Sequence, residues 1–162
     1  MFLTVHAAAS AYIGKKVPNV FLAFIVAFFF HFIFDMIPHG DEKLGRTFLG
    51  FKIREHEDFK FMAMYGSVDT FFMAMFLLFL FKNFQFARDD SVIWAIIGGI
   101  LPDILVALSK LTNNKFLNWF ANKHMDIHHY LMGEYKVDVS LKTGMILQFF
   151  LMILIVWMLG ML

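Results

Sequence analysis

Long apolar runs, each interrupted by a few isolated ionisable residues, set the pattern of this chain. Four stretches, residues 17–37, 61–81, 92–111 and 141–162, can each cross a hydrocarbon core of about 30 Å as a helix, which takes about 20 residues. Ahead of them, residues 2–14 are apolar and rich in small side chains (Ala7, Ala8, Ala9, Ser10, Ala11), with one histidine, His6. That piece reaches only part-way through a bilayer, so it is read as a re-entrant or packed half-helix turned at the surface by Gly14, Lys15 and Lys16. Residues 115–123 (KFLNWFANK) read as a short interfacial helix bearing Phe116, Trp119 and Phe120. The expected fold is all-α: a polytopic membrane helical bundle with about four transmembrane helices, an N-terminal half-helix and a short interfacial helix, in one domain over residues 1–162.

Composition supports that reading. The chain is 60% hydrophobic with 23 Phe and 12 Met and only 17% charged, which is too apolar for an ordinary soluble domain. A net charge of +1 gives no electrostatic reason to expect nucleic acid as a partner. There is no cysteine, so thiolate metal sites, disulfides and cysteine nucleophiles are excluded and any metal must be held by His, Asp, Glu or backbone oxygen. Lys15 and Lys16 followed by an apolar run do not make a signal peptide, because the run is too long and ends in a His/Asp cluster. Threading four spans leaves Lys15, Lys16, Lys82 and Arg88 on one side. Lys43, Arg46, Lys52, Arg54, Lys60, Lys110, Lys115, Lys123, Lys136 and Lys142 fall on the other. The positive-inside rule turns that second side to the cytoplasm of a plasma (inner) membrane, with Trp94 and Trp157 near the opposite interface.

The ionisable residues inside the apolar runs carry the candidate chemistry. FFFHFIFDMIPHGD places His31, Asp35, His39 and Asp41 at the end of the first span. His31 and Asp35 are four apart and share a helix face, and Pro38 should end the helix near Phe34. Asp69 sits deep in the second span and Asp103 in the third, after Pro102 in GGILPD, where two glycines permit local unwinding. A protonated, hydrogen-bonded Asp69 and a plain proline kink at Pro102 are the structural alternatives. His124 and His128 in HMDIHH again lie four apart; Asp126 is placed to orient an imidazole, and His129 to act in an outer shell or on substrate. His56, in REHED, reads as a solvated loop residue. At about 1.5 Å per residue, these groups converge on the basic-side half of the bilayer. The opposite half offers only Gln148 and a few hydroxyls. Three unpaired carboxylates at such depth would cost roughly 8–10 kcal/mol on insertion scales. Divalent cations would offset that cost, and His6, His31, Asp35, His39, Asp103, His124 and His128 form a candidate ligand set for one to three zinc-like ions.

The run VHAAASAYIG, then HFIFDMIPHGD, GGILPD and HMDIHH, resembles the membrane-bound metal-dependent hydrolases of bacteria and archaea. That family is distantly similar to zinc-dependent phospholipase C and the P1-type nucleases. The resemblance implies a helical phosphoesterase with a zinc cluster, its HxxxD step at His31 and Asp35 and its late step at His124 and His128. The soluble enzymes use an N-terminal Trp as a ligand, whereas this chain begins MFLTVH, which would leave that place to His6. Their late HxxxE reads HMDIH here.

The expected function is a metal-dependent hydrolase acting on a phosphoester or lipid-linked substrate at the membrane face. Asp69, Asp41 or His129 would serve in proton transfer, and Lys43 and Arg46 would hold a phosphate. The alternative is a non-catalytic metal-binding or metal-transporting membrane protein, although a transporter needs polar groups through both halves of the bundle. A haem bundle fits three carboxylates poorly.

Overall fold

Small side chains at the start of the chain decide the architecture. The computed structural model describes residues 1–40, 56–112, 114–133 and 139–161, with side chains except at 56–62, 129 and 131–133. Among these residues there are six α-helices and no strands: α1 Leu3–Lys16, α2 Val20–Phe34, α3 His56–Asn83, α4 Asp90–Leu111, α5 Lys115–Gly133 and α6 Leu141–Met158, with a 3-10 turn at Gln85–Arg88 before α4. The alanines of α1 favour helix and present almost no bulk. Helices α2, α3, α4 and α6 all pack against it. Val5 through Ala11 and Gly14 are buried as a result. The expected half-helix is therefore the central element of the bundle.

The ends of α1 are tied by side chains from other helices. Its first turn leaves amide donors with no partner inside the helix, and Phe2 supplies no cap. The Asp69 carboxylate of α3 takes that role, accepting from Leu3 N–H at 2.6 Å, Thr4 N–H at 3.3 Å and the Thr4 hydroxyl at 2.7 Å. Negative charge at a helix N-terminus also opposes the macrodipole favourably. Gln148 of α6 accepts from Phe2 N–H at 2.6 Å. At the far end, Lys15 donates to the Leu159 carbonyl at 2.7 Å and lies over the Phe86 ring.

α4 threads between α1 and α2 on its glycines. A Cβ on Gly98 would stand 2.5 Å from the Phe24 carbonyl oxygen, and one on Gly99 would meet the Ser10 hydroxyl. Pro102 removes the amide that would bond the Gly98 carbonyl, yet α4 runs unbroken from Asp90 to Leu111. The unwinding expected from GGILPD does not occur, because the close packing of α1 and α2 holds the helix on both sides. α2 ends at Phe34 and Asp35 caps it. The following turn carries Gly40 at φ +76°, where a Cβ would also lie 2.6 Å from the Ser140 carbonyl oxygen. Only glycine fits there without strain, and the turn is thereby seated on the start of α6.

Three helical segments are long and apolar enough to cross a membrane: Ala63–Asn83, Asp90–Leu111 and Leu141–Met158. α2, expected as a full span over 17–37, has 15 helical residues and falls short of the roughly 20 a bilayer core takes. Large apolar side chains face outward along α3 and α6, Phe71, Phe72, Leu78, Phe149, Phe150 and Trp157 being 60% or more exposed. Such faces are stable against hydrocarbon rather than water. The expected interfacial helix over 115–123 is longer than the composition of KFLNWFANK suggested and takes in HMDIHH as well.

Candidate metal centre

The last turn of α2 supplies two ligands from one face. His31 Nε2 lies 3.3 Å from Asp35 Oδ2. His31 Nδ1 is 2.8 Å from the Gly99 carbonyl oxygen, and a carbonyl only accepts, so Nδ1 carries the proton and the Nε2 lone pair faces the carboxylates. That is the arrangement of a ligating imidazole oriented by its other nitrogen. Among the described residues His31 Nε2 has no hydrogen-bond partner, nor has His124 Nδ1, and both atoms are buried. Leaving such atoms unsatisfied costs about 1–3 kcal/mol each.

α4 and α5 close the group. Asp103 Oδ1 is 3.6 Å from His31 Nε2, and His124 Nε2 is 3.5 Å from Asp35 Oδ2. His31, Asp35, Asp103 and His124 thus offer four ligand atoms within 4.8 Å of one another. For metal–ligand bonds of about 2.0–2.2 Å, the edges of a tetrahedron are about 3.3–3.6 Å, which three of the six separations match, all six being within 4.8 Å. Asp103 is the most open member, its side chain 27% exposed against 0–5% for the other three.

A second group shares Asp35. Together with His39 and His128 it again places three ligand atoms within 4.8 Å. His39 Nδ1 lies 2.7 Å from the Ile37 carbonyl oxygen, so its Nε2 lone pair faces His128 Nε2 at 3.4 Å. Gln148 Nε2 donates to the His39 carbonyl at 3.4 Å, steadying the turn from behind.

His6 takes part differently. Its Nε2 is 3.0 Å from Asp35 Oδ1 and 4.0 Å from Asp103 Oδ2, and its ring stacks on His31 with centroids 4.1 Å apart. The Met1 amine is also 3.1 Å from Oδ1. Asp35 is therefore held by donors on Oδ1 and presents Oδ2 to His31 and His124.

Of the other residues singled out from sequence, Asp69 is brought to the start of α1 and not into either ligand group. Asp41, Lys43 and Arg46 lie outside the described residues, as do the side chains of His56 and His129. Asp126 faces solvent and pairs with Lys123 at 3.0 Å rather than with an imidazole. Gln148, assigned to the half opposite the site, is at the site end: it lies only two turns into α6, which starts beside the His39 turn. One contributor went unnoticed in the sequence and a second, Gln148, was noted but placed at the wrong end. The Gly99 carbonyl leaves no signature beyond a glycine pair before Pro102, whereas Gln148 was visible as an amide in an apolar helix.

Comparison of the chain with family models, with curated proteins and with solved structures finds no match. Fold and site together define a membrane-associated chain, helical over its described residues, whose largely buried His/Asp groups could hold a metal ion.

Proposed function

We propose that this chain is an integral membrane, zinc-dependent hydrolase of a phosphoester at the membrane face. The observation that carries the reading is the sharing of Asp35 between two imidazole-bearing groups, beside a ligand, Asp103, that is only partly covered. A closed tetrahedral site argues for structure and an open position for catalysis: four protein ligands would close the first group, whereas the second, with three among the described residues, leaves a position open. All-nitrogen-and-oxygen ligands at tetrahedral spacing suit zinc better than magnesium or calcium, which prefer more oxygen ligands. An ion bound here would polarise a phosphoryl oxygen as a Lewis acid and lower the pKa of a bound water towards about 7.

The protein's own contribution is orientation. Gly99 and Ile37 carbonyls fix the tautomers of His31 and His39, and His6 with the Met1 amine fixes the Asp35 carboxylate. Asp41 and His129 are assigned as proton carriers on sequence reasoning alone. Lys43 and Arg46 are assigned to the substrate phosphate, as sequence reasoning has them. A four-span topology would count residues 17–37 as a span although α2 itself has 15 helical residues, with its C-terminal end towards the cytoplasm, on the side richer in Lys and Arg.

The test is metal content and activity of the purified chain, assayed on phosphodiesters and phospholipids before and after stripping and reloading zinc. Hydrolysis that is lost on stripping and regained on reloading is expected. A metal-loaded protein inactive on both classes would overturn the reading in favour of a non-catalytic metal-binding protein.

A further inference from the structure

Helix α5 has three faces rather than two. At about 100° per residue, Leu117, Ala121, His124 and His128 fall on one side, and these positions are buried or half-buried against the bundle. Lys115, Asn118, Asn122 and Asp126 fall on a second side and are exposed. The third side carries Phe116, Trp119, Ile127 and Tyr130, which are 62%, 56%, 42% and 73% exposed, with Lys123 among them. An apolar stripe tipped with aromatics, one lysine long enough to reach water, and a polar face about a third of a turn away describe a helix lying in the plane of a membrane interface. Connectivity supports the same depth independently. The candidate span Asp90–Leu111 ends three residues, 112–114, before α5 begins at Lys115, so α5 starts where α4 leaves the hydrocarbon.

We infer that α5 is seated in the headgroup–acyl boundary of the bilayer with this stripe inserted, and that the site its buried face completes takes a lipid sideways from the membrane. The substrate class is an amphiphile whose hydrolysable headgroup bond lies at that depth, not a freely diffusing ester. The reaction adds water across that bond: the water oxygen joins phosphorus, the ester P–O bond breaks, and the leaving alcoholate takes up one of the water's protons. The substrate half of this inference rests on the hydrolase reading; the seating of α5 does not.

The chain has three tryptophans, so Trp94→Phe with Trp157→Phe leaves Trp119 as the sole reporter. The full chain is placed in phosphatidylcholine vesicles carrying bromines at defined depths. Bromines near the acyl carbonyls should quench Trp119 at least about twofold more than those near the chain ends, with little quenching by aqueous iodide, as an interfacial ring requires. Dominant iodide quenching, or strongest quenching from the chain ends, overturns the seating. In the second arm, the zinc-loaded wild-type protein is offered a long-chain phospholipid in vesicles and a short-chain soluble ester with the same headgroup. About tenfold faster turnover of the lipid is expected if remote binding energy from the acyl chains is used. Faster turnover of the soluble ester sinks the lipid claim and leaves the hydrolase reading standing. Turnover of neither sinks the hydrolase reading and the substrate claim with it, while the seating is decided by the quenching alone.

Discussion

Replacing Asp35 with asparagine keeps the shape of the side chain and removes the charge on which both ligand groups depend. Its carboxylate lies 3.3 Å and 3.5 Å from the Nε2 atoms of His31 and His124, and 3.0 Å and 3.1 Å from His6 Nε2 and the Met1 amine. Removing one partner from a buried charged set costs about 3–5 kcal/mol. At about 1.4 kcal/mol per decade, ion binding should weaken by roughly two to three and a half orders of magnitude at each position. His128→Gln touches the second group alone, and His124→Gln the first alone. Mass spectrometric metal analysis after gel filtration, with competition against a chromophoric chelator, should therefore find one ion per group in the wild type. The expected losses are the second group's ion in His128→Gln, the first group's in His124→Gln, and both in Asp35→Asn, each variant retaining helical circular dichroism. An Asp35→Asn protein that holds as much metal as the wild type, or that loses only one ion, refutes the shared carboxylate.

Asp69→Ala should lower thermal stability by about 1–3 kcal/mol through the amides it orphans at the start of α1 and leave metal content per folded chain unchanged; loss of activity at unchanged stability would return Asp69 to a catalytic role. Gly99→Ala drives a methyl into the Ser10 hydroxyl and should abolish monodisperse protein on gel filtration, with Ser10→Gly restoring it; a well-behaved Gly99→Ala single variant would count against the tight α1–α4 crossing. Because the chain has no cysteine, Asn83→Cys and Asn122→Cys can be labelled one at a time with an impermeant maleimide in intact cells. The proposed topology has Asn83→Cys reacting from outside and Asn122→Cys only after lysis, and labelling of both from one side would refute it.

What the sequence made legible was demand. A carboxylate or imidazole within an apolar run must find a partner, and that reasoning singles out His31, Asp35, Asp103, His124 and His128, which the fold brings into the two groups. It could not identify the supplier. Asp69 raised the same alarm as Asp35, yet its need is met by the backbone amides of α1, a partner that leaves no side-chain signature. The burial of α1 was hidden for a related reason: alanines count little on a hydropathy scale but determine how closely helices approach. The extent of α5 was obscured because its histidines and asparagines lower apolarity in a segment whose buried side is narrow. The end of α2 at Phe34 was legible from Pro38, but its length was not, since the span expected over 17–37 has 15 helical residues.

The ligand groups also constrain the order in which the chain is built. Asp35 closes α2, whereas Asp103 and His128 are synthesised roughly 70 and 90 residues later, about 4–18 s at typical translation rates of about 5–20 residues per second. During that interval the nascent membrane segments carry Asp35 and Asp69 with only part of their eventual company. α1 alone is already in place, and its first turn brings His6 to one carboxylate and Leu3 and Thr4 to the other. Because α1 precedes both carboxylates in the chain, these contacts are available as soon as each carboxylate has been synthesised, before the remaining ligands exist.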